Sequence, residues 1–520
     1  MDRVPKLLLA FLLMAVLLVA GCSNNNSSSG KSQANTVENQ KDSTPKKGGN
    51  LTIAFDTDIS NYDPLLGNSG NDHALLYPIY DTLVNFNAQL EPQPGLAESW
   101  DIPDDKTIIL HLRKGVAFHD GTPFDAEAVK FNLERAISPD SKVTDLGNVE
   151  SVEVVDAQTA KLNLKQPDSS IILALSDRSG MMVSPTAVQK FGEDFGQNPV
   201  GTGPYKLEKW VRNAEIQLKA NENYWQEGLP YIDRMTLKVM PDENTRLNAL
   251  KAGQVQLYWN VSPDNSQILK KDKNVVLNTK MKVAFQNMFI NTKLAPLDKK
   301  EVRQALQYAI DREALVKVLT FGEGEPAYQT FPKEYWASNQ DIKIPHDIEK
   351  AKSLLKEAGL ESVSFDVYVP NLPFYQRIAE AVKGQVKEAG ITMNIQTTEA
   401  NKGNTIYFNE KQGQAWFTFW SGRPDPQQTM NSLISGKAFY NAGGESTPEK
   451  EELIARAAAT YDQKERAQLY AQINEIAILE EAMTIPVFFA PATAAMSPKV
   501  KGFEGTLLGK PKFSFLWLDK

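Results

Sequence analysis

Between positions 348 and 398 the chain writes one unit twice: IEKAKSLLKEAG passes into VSFDVYV, and PFYQRIAEAVKGQVKEAG passes into ITMNIQT. Each first half places apolar residues at helical spacing and closes on Glu-Ala-Gly (Glu357-Ala358-Gly359 and Glu388-Ala389-Gly390). Glycine there accepts the left-handed backbone that stops a helix. Each second half is a β-run. Parallel strands need a crossover of about a dozen residues or more, so the unit predicts a parallel α/β sheet with right-handed connections. Ligands bind such sheets beyond the carboxyl ends of the strands. Two ends stand out and are expected to face one cleft: 369–373, followed by Phe374 and Tyr375, and 420–423.

The second end belongs to AWFTFWSGRPDP, residues 415–426. Trp416, Phe417, Thr418, Phe419 and Trp420 favour a strand, which breaks at Ser421-Gly422 and releases Arg423 and Asp425 between prolines. Aromatic walls and fixed charges at a strand-to-loop break suit the floor of a ligand pocket. A core strand followed by an ordinary turn is the other reading.

At 520 residues the chain implies two or three domains. Its net charge of −8 gives no basic surface for phosphates, so no nucleic-acid partner is expected. One cysteine, Cys22, excludes disulfides and thiolate metal sites, and no pair among four histidines has helical ligand spacing. No cofactor is expected.

Asp2, Arg3 and Lys6 precede an uncharged apolar run over 7–21. It is shorter than the roughly 20 residues that span a bilayer and suits a signal-peptide core. The run ends Val19-Ala20-Gly21-Cys22, which resembles a bacterial lipobox and implies cleavage before Cys22 and lipidation of that residue. Two or more acyl chains hold a protein stably at a membrane. Residues 23–49 are polar, with Val37 as the one branched aliphatic residue, and read as a disordered tether. As a coil it spans about 30 Å.

Along the folded part, 50–56 reads as a strand, 73–84 as an apolar helix, 91–100 as a turn running into a short helix, and 107–112 as a strand. Asp125 caps a helix over 125–137. His119-Asp120-Gly121 reads as a turn rather than an acid–base pair. The GTGPY loop at 201–205 lets the backbone approach a neighbour closely. It reads as a ligand contact through Thr202 or Gly203, or as a structural corner. Of Tyr258 and Trp259, one is expected in the core and the other on the cleft. Asp298 and Glu301 form a capping-box pattern before a helix with Val302, Ala305, Leu306 and Ala309 on one face. Arg303 and Arg312 are expected in solvent or in ion pairs. Residues 449–479 read as two amphipathic helices and 484–491 as a buried strand.

PQPGLAESW, LRKGVAFHDGTPFDAEAVKFNLERA, NPVGTGPYKLEKW, NENYW and KEVRQALQYAIDREAL occur in that order. Together they resemble the family 5 solute-binding proteins of ABC importers, extracytoplasmic receptors for oligopeptides, dipeptides, glutathione and nickel chelates. The resemblance runs from about 48 to the C-terminus. It implies an α/β, two-lobe, periplasmic-binding-protein-like (class II) clamshell that binds solute without chemistry. Lobe I would span 50–283 with an extra subdomain at about 85–195, lobe II 284–488, and 489–520 would return to lobe I. Hinges are expected near 284–287 and 488–491. A permease and an ATPase are the implied partners of a lipid-anchored monomer.

In peptide-binding members of this family an aspartate three residues after the tryptophan pairs with the peptide ammonium. Arg423 stands at that position, and a guanidinium repels an ammonium but forks onto a carboxylate. The WSGRPDP form resembles the glutathione-type branch. The expected solute is a peptide or peptide-like compound with at least one carboxylate, or a free amine if Asp425 takes over. An ion pair of Arg423 with Asp425 or another acid is the alternative. Trp416, Trp420, Phe374 and Tyr375 would wall the site, with Asn61, Thr202, Gly203 and Trp259 as further contacts. Nickel would enter only pre-chelated. A sensory receptor of the same fold and a secreted hydrolase with paired carboxylates are the competing functions.

Overall fold

The computed structural model describes residues 44–67 and 72–519. Cys22, the apolar leader and the tether up to 43 lie outside the described residues. Two large sheets organise the remainder. The first runs Val276–Lys280, Ala492–Met496, Leu257–Trp259, Asn50–Phe55, Arg234–Val239, Glu215–Ala220, Tyr205–Val211. The second runs Glu325–Pro326, Thr484–Phe489, Phe285–Ile290, Ala415–Trp420, Val363–Pro370, Ile391–Thr398. The chain passes from the first sheet to the second over 281–284 and returns over 490–491. The first link overlaps the expected 284–287 only at 284, because Phe285 is already paired within the second sheet.

The repeated helix–strand unit forms the parallel part of the second sheet: Val363–Pro370 pairs parallel with Ile391–Thr398 and with Ala415–Trp420. Phe285–Ile290 then pairs antiparallel on both sides and makes the sheet mixed. Strand alternation sorts the aromatic stretch. Ala415 and Phe417 face the helices Lys300–Ala309, Ile348–Glu357 and Pro373–Val386. Trp416 and Trp420 face the opposite way, with Phe285 and Phe289, into an apolar cluster that continues to Leu51, Ile53 and Leu237 of the first sheet.

A four-stranded antiparallel sheet (Ala97–Asp104, Thr107–Leu112, Thr159–Leu164, Val149–Asp156) carries the helix Ala126–Ala136. Asp125 caps that helix, accepting from the Ala128 amide at 3.0 Å.

Four local expectations change. Residues 97–100 are strand rather than helix, held by pairing with Thr107–Leu112. The helix expected over 73–84 covers only Asp72–Leu76, since Pro78 prevents continuation. The helix expected to begin at Asp298 begins at Lys300, with Lys299 at its cap and no side-chain bond there. The carbonyls of Leu297 and Asp298 accept instead from Arg303 Nη1, at 3.0 and 3.1 Å. Arg303 and Arg312 are buried rather than solvated, and Arg303 keeps the expected alternative, an ion pair, with Nη2 3.3 Å from Glu445 Oε1. Arg303 donates to the Glu481 carbonyl from Nε (2.9 Å) and Nη2 (2.7 Å), and Arg312 to the Pro486 carbonyl (2.9 Å). A planar fork of five donors suits a row of chain-end carbonyls.

Candidate functional site

The Ala415–Trp420 strand ends at Ser421-Gly422, where the backbone turns against the link between the sheets. Gly422 has φ +73°, and a Cβ there would meet Val283 at 2.6 Å. The turn delivers Arg423 with its guanidinium 4.8 Å from the centre of the Trp420 ring. Nη1 donates to Ser421 Oγ (2.9 Å) and the Gly422 carbonyl (2.8 Å). Nε lies 3.7 Å from Asp145 Oδ1, an ion pair without a hydrogen bond, with both side chains 21% exposed. Asp145 belongs to the connection between Ala126–Ala136 and Val149–Asp156, so Arg423 reaches from the second sheet to the four-stranded unit. Trp420 is buried against Tyr440 (ring centres 5.2 Å apart, edge to face), and its Nε1 has no hydrogen-bond partner.

Beside Arg423 lies a charged cluster that no motif announced. His73 Nδ1 contacts the Asp177 carboxylate, Tyr77 donates to Asp177 Oδ1 at 3.2 Å, and Lys510 donates to Asp177 Oδ2 at 2.6 Å. Lys510 Nζ also lies 2.8 Å from His73 Nδ1. Burial pulls His73 down to about 3, so the ring is neutral at physiological pH. Burial would raise Asp177, but His73 and Lys510 outweigh it and hold the carboxyl well below its usual range. Burial lowers Lys510 despite Asp177, and the Arg423 charge adds to that lowering. A cavity of about 40 Å³, room for a water or two, adjoins through Tyr77 and is also lined by Asp81, Trp225 and Lys512.

His73 gives a pH dependence with a definite sign. The unfolded chain protonates it near 6.5 and the folded chain near 3, so within that window the unfolded state holds more protons and stability falls as pH falls. Denaturation at pH 7 and at pH 5 should show wild type losing about 2 kcal/mol more than His73→Gln over this interval. Equal losses would mean that the ring is already charged in the folded state.

The remaining expected site residues are distributed as follows. Asp425 is not available to an amine. It is 1% exposed, caps the helix Pro426–Thr429, and binds Arg466 Nη2 at 2.5 Å. Trp416 is enclosed, its Nε1 donating to Asn404 Oδ1 at 3.1 Å. Thr202 and Gly203 form a structural corner: Thr202 is buried, and the Gly203 amide and carbonyl bond Ile79 and His119 at 2.9 Å each. Asn61 Oδ1 accepts from the Asp63 amide at 2.8 Å and packs against Gly196, shaping its own loop. Tyr258 is core, while Trp259 is half-buried against Phe503, a neighbour the sequence did not suggest. Phe374 and Tyr375 lie together, half-buried, with Tyr375 stacked on Phe419 at 6.3 Å. Among the described residues no aromatic contact links that pair to Trp420. His119-Asp120-Gly121 is a turn: Gly121 has φ +85°, and Asp120 accepts from the Thr122 amide at 3.0 Å. Asp145, Asp177, His73 and Lys510 were missed. No motif marks any of them, although His73 opens the segment read as an apolar helix, and only folding brings them to Arg423.

Comparison with known proteins agrees with this architecture. Residues 91–441 match the family described as bacterial extracellular solute-binding proteins, family 5 Middle. The glutathione-binding protein GsiB of Salmonella paratyphi A is 31% identical over 468 residues, covering 87% of this chain and 91% of its own. The periplasmic binding protein DppA of Helicobacter pylori, solved with the peptide STSA, superposes with TM-score 0.81 at 27% identity, covering 91% of this chain and 99% of its own. The binding protein AgaA of A. tumefaciens, solved with agropinic acid, gives TM-score 0.81 at 26% identity over the same shares. With these matches and a two-sheet body crossed twice by the chain, the protein belongs to the family 5 extracellular solute-binding proteins of ABC importers, which bind a solute and do not transform it.

Proposed function

We propose that the protein captures a peptide or peptide-like, carboxylate-bearing solute between its two sheets and delivers it to a membrane permease. The observation that carries this reading is Arg423. Its Nη1 is engaged locally, while Nε and Nη2 have no hydrogen-bond acceptor among the described residues and face only an acid 3.7 Å away. A guanidinium with free donors, half-withdrawn from water and backed by an aromatic face, is a carboxylate receptor. The relatives support the class: one is named for glutathione, one was solved with a peptide, and one with an acid of another kind.

Calorimetry against glutathione, short peptides and their C-terminal amides tests it. Arg423→Ala is expected to weaken carboxylate solutes about 100-fold and Arg423→Asp to abolish their binding. Unchanged affinity in both removes the assigned role. We further propose that the chain acts as a monomer and is held outside the cytoplasmic membrane by lipid on Cys22, with residues 23–49 as its tether. Cys22→Ala should then release the protein from the membrane fraction.

A further inference from the structure

We propose that Lys510 is a second anion contact of the same site, so that the solute presents two anionic groups, one to Arg423 and one to Lys510. This rests on the reading of Arg423 as a carboxylate contact.

The argument starts from hydrogen counts. Lys510 is an ammonium with three N–H donors and an 11% exposed side chain, and its neighbours are Asp177 Oδ2 at 2.6 Å and His73 Nδ1 at 2.8 Å. His73 Nδ1 also touches Asp177 Oδ1. One ring nitrogen cannot donate and accept at once. If Nδ1 carries the proton it serves Asp177, and Lys510 keeps one acceptor for three hydrogens. If Nδ1 is bare it accepts from Lys510, which then has two acceptors for three. In either tautomer a buried ammonium keeps at least one N–H without a partner among the described residues, and such a group favours an added acceptor.

The neighbours repeat the imbalance. Arg423 has unused donors at Nε and Nη2, and the buried Trp420 Nε1 has no partner. Lys510 is paired with Asp177 and Arg423 with Asp145, the Arg423 and Arg178 charges both act on Lys510, and His73 is neutral. Asp145 is the weakest-held of these acids, part-exposed and not hydrogen-bonded to Arg423. A solute carboxylate displaces it from the guanidinium, while Lys510 keeps only Asp177 as a charged partner, an acid that also acts on Lys512. Like charges held close out of water repel, and anions placed among them remove that cost. Arg423 and Lys510 each keep a donor for an added acceptor, so a guest with two anionic groups satisfies both.

The test pairs probes with variants. Glutathione has two carboxylates, and each of its two mono-amides keeps one. Wild type is expected to bind glutathione about 30-fold more tightly than either mono-amide. Arg423→Ala should lose discrimination against one amide, and Lys510→Met against the other. Because Lys510→Met leaves Asp177 without its cation, the double variant Lys510→Met/Asp177→Asn repeats the measurement with a neutral pair, and Lys510→Arg should retain discrimination. If Lys510→Met and Lys510→Met/Asp177→Asn both keep full discrimination against both amides while Arg423→Ala loses one, the second contact is refuted and the Arg423 reading stands. If Arg423→Ala changes nothing, or wild type ignores both amide substitutions, both readings fall.

Discussion

Exchanging Asp425 for alanine is expected to lower stability by about 3–5 kcal/mol, because it strands a buried guanidinium. Asp425 Oδ1 accepts from Arg466 Nη2 at 2.5 Å and from the Gln427 amide at 2.8 Å, while the Asp425 amide donates to Gln428 Oε1 at 3.1 Å. Arg466 also donates to Tyr470 Oη (2.8 Å from Nη2), which in turn donates to Gln427 Oε1 at 3.2 Å. The carboxylate is thus both a helix cap and the counter-charge of a closed network. Removing both charges in Asp425→Leu/Arg466→Met should recover most of the loss, since a buried ion pair is often replaceable by apolar groups of similar volume. Urea denaturation gives the stabilities, and calorimetry on the folded protein should find solute affinity within about threefold of wild type. Intact stability with lost affinity would return Asp425 to the binding site.

A methyl group at Gly201 or Gly203 is expected to cost about 3 kcal/mol or more, at the upper end for an overpacked core. A Cβ on Gly201 would lie 2.2 Å from the Ile79 carbonyl oxygen, and one on Gly203 would lie 2.5 Å from the Ile79 carbonyl carbon and 2.8 Å from the Pro78 oxygen. These obstacles are backbone, and the same backbone is tied to the loop: the Gly203 amide donates to Ile79 (2.9 Å) and the Tyr205 amide to Pro78 (2.8 Å). Neither strand of this contact can withdraw without breaking those bonds. Gly201→Ala and Gly203→Ala are therefore expected to lower the melting temperature or prevent soluble expression. Near-normal stability with weakened solute binding would show that the loop touches the solute instead.

Much of the chain's organisation was legible in short windows. The Glu-Ala-Gly stops at Gly359 (φ +76°) and Gly390 (φ +84°) sit where the left-handed conformation is needed, and the strands after them pair in parallel. The Asp125 cap and the buried strand Thr484–Phe489 follow from local pattern as well. The failures at 97–100 and Asp298 have one cause. Pairing with Thr107–Leu112 decides the first, and capture of carbonyls by Arg303 decides the second, and neither partner is visible in the local pattern.

By itself, then, the order of residues determined the repeated helix–strand unit, the break after Trp420 and the presence of a cation, Arg423, just past that break. Such features depend on spacing and backbone preference within a turn or two of chain. Only the tertiary structure decided which charges share a space. It withdrew Asp425 to Arg466 and brought Asp145, Asp177 and Lys510 to Arg423 from segments up to several hundred positions apart. Electrostatic partnership depends on distance through the fold, and distance along the chain carries almost no record of it.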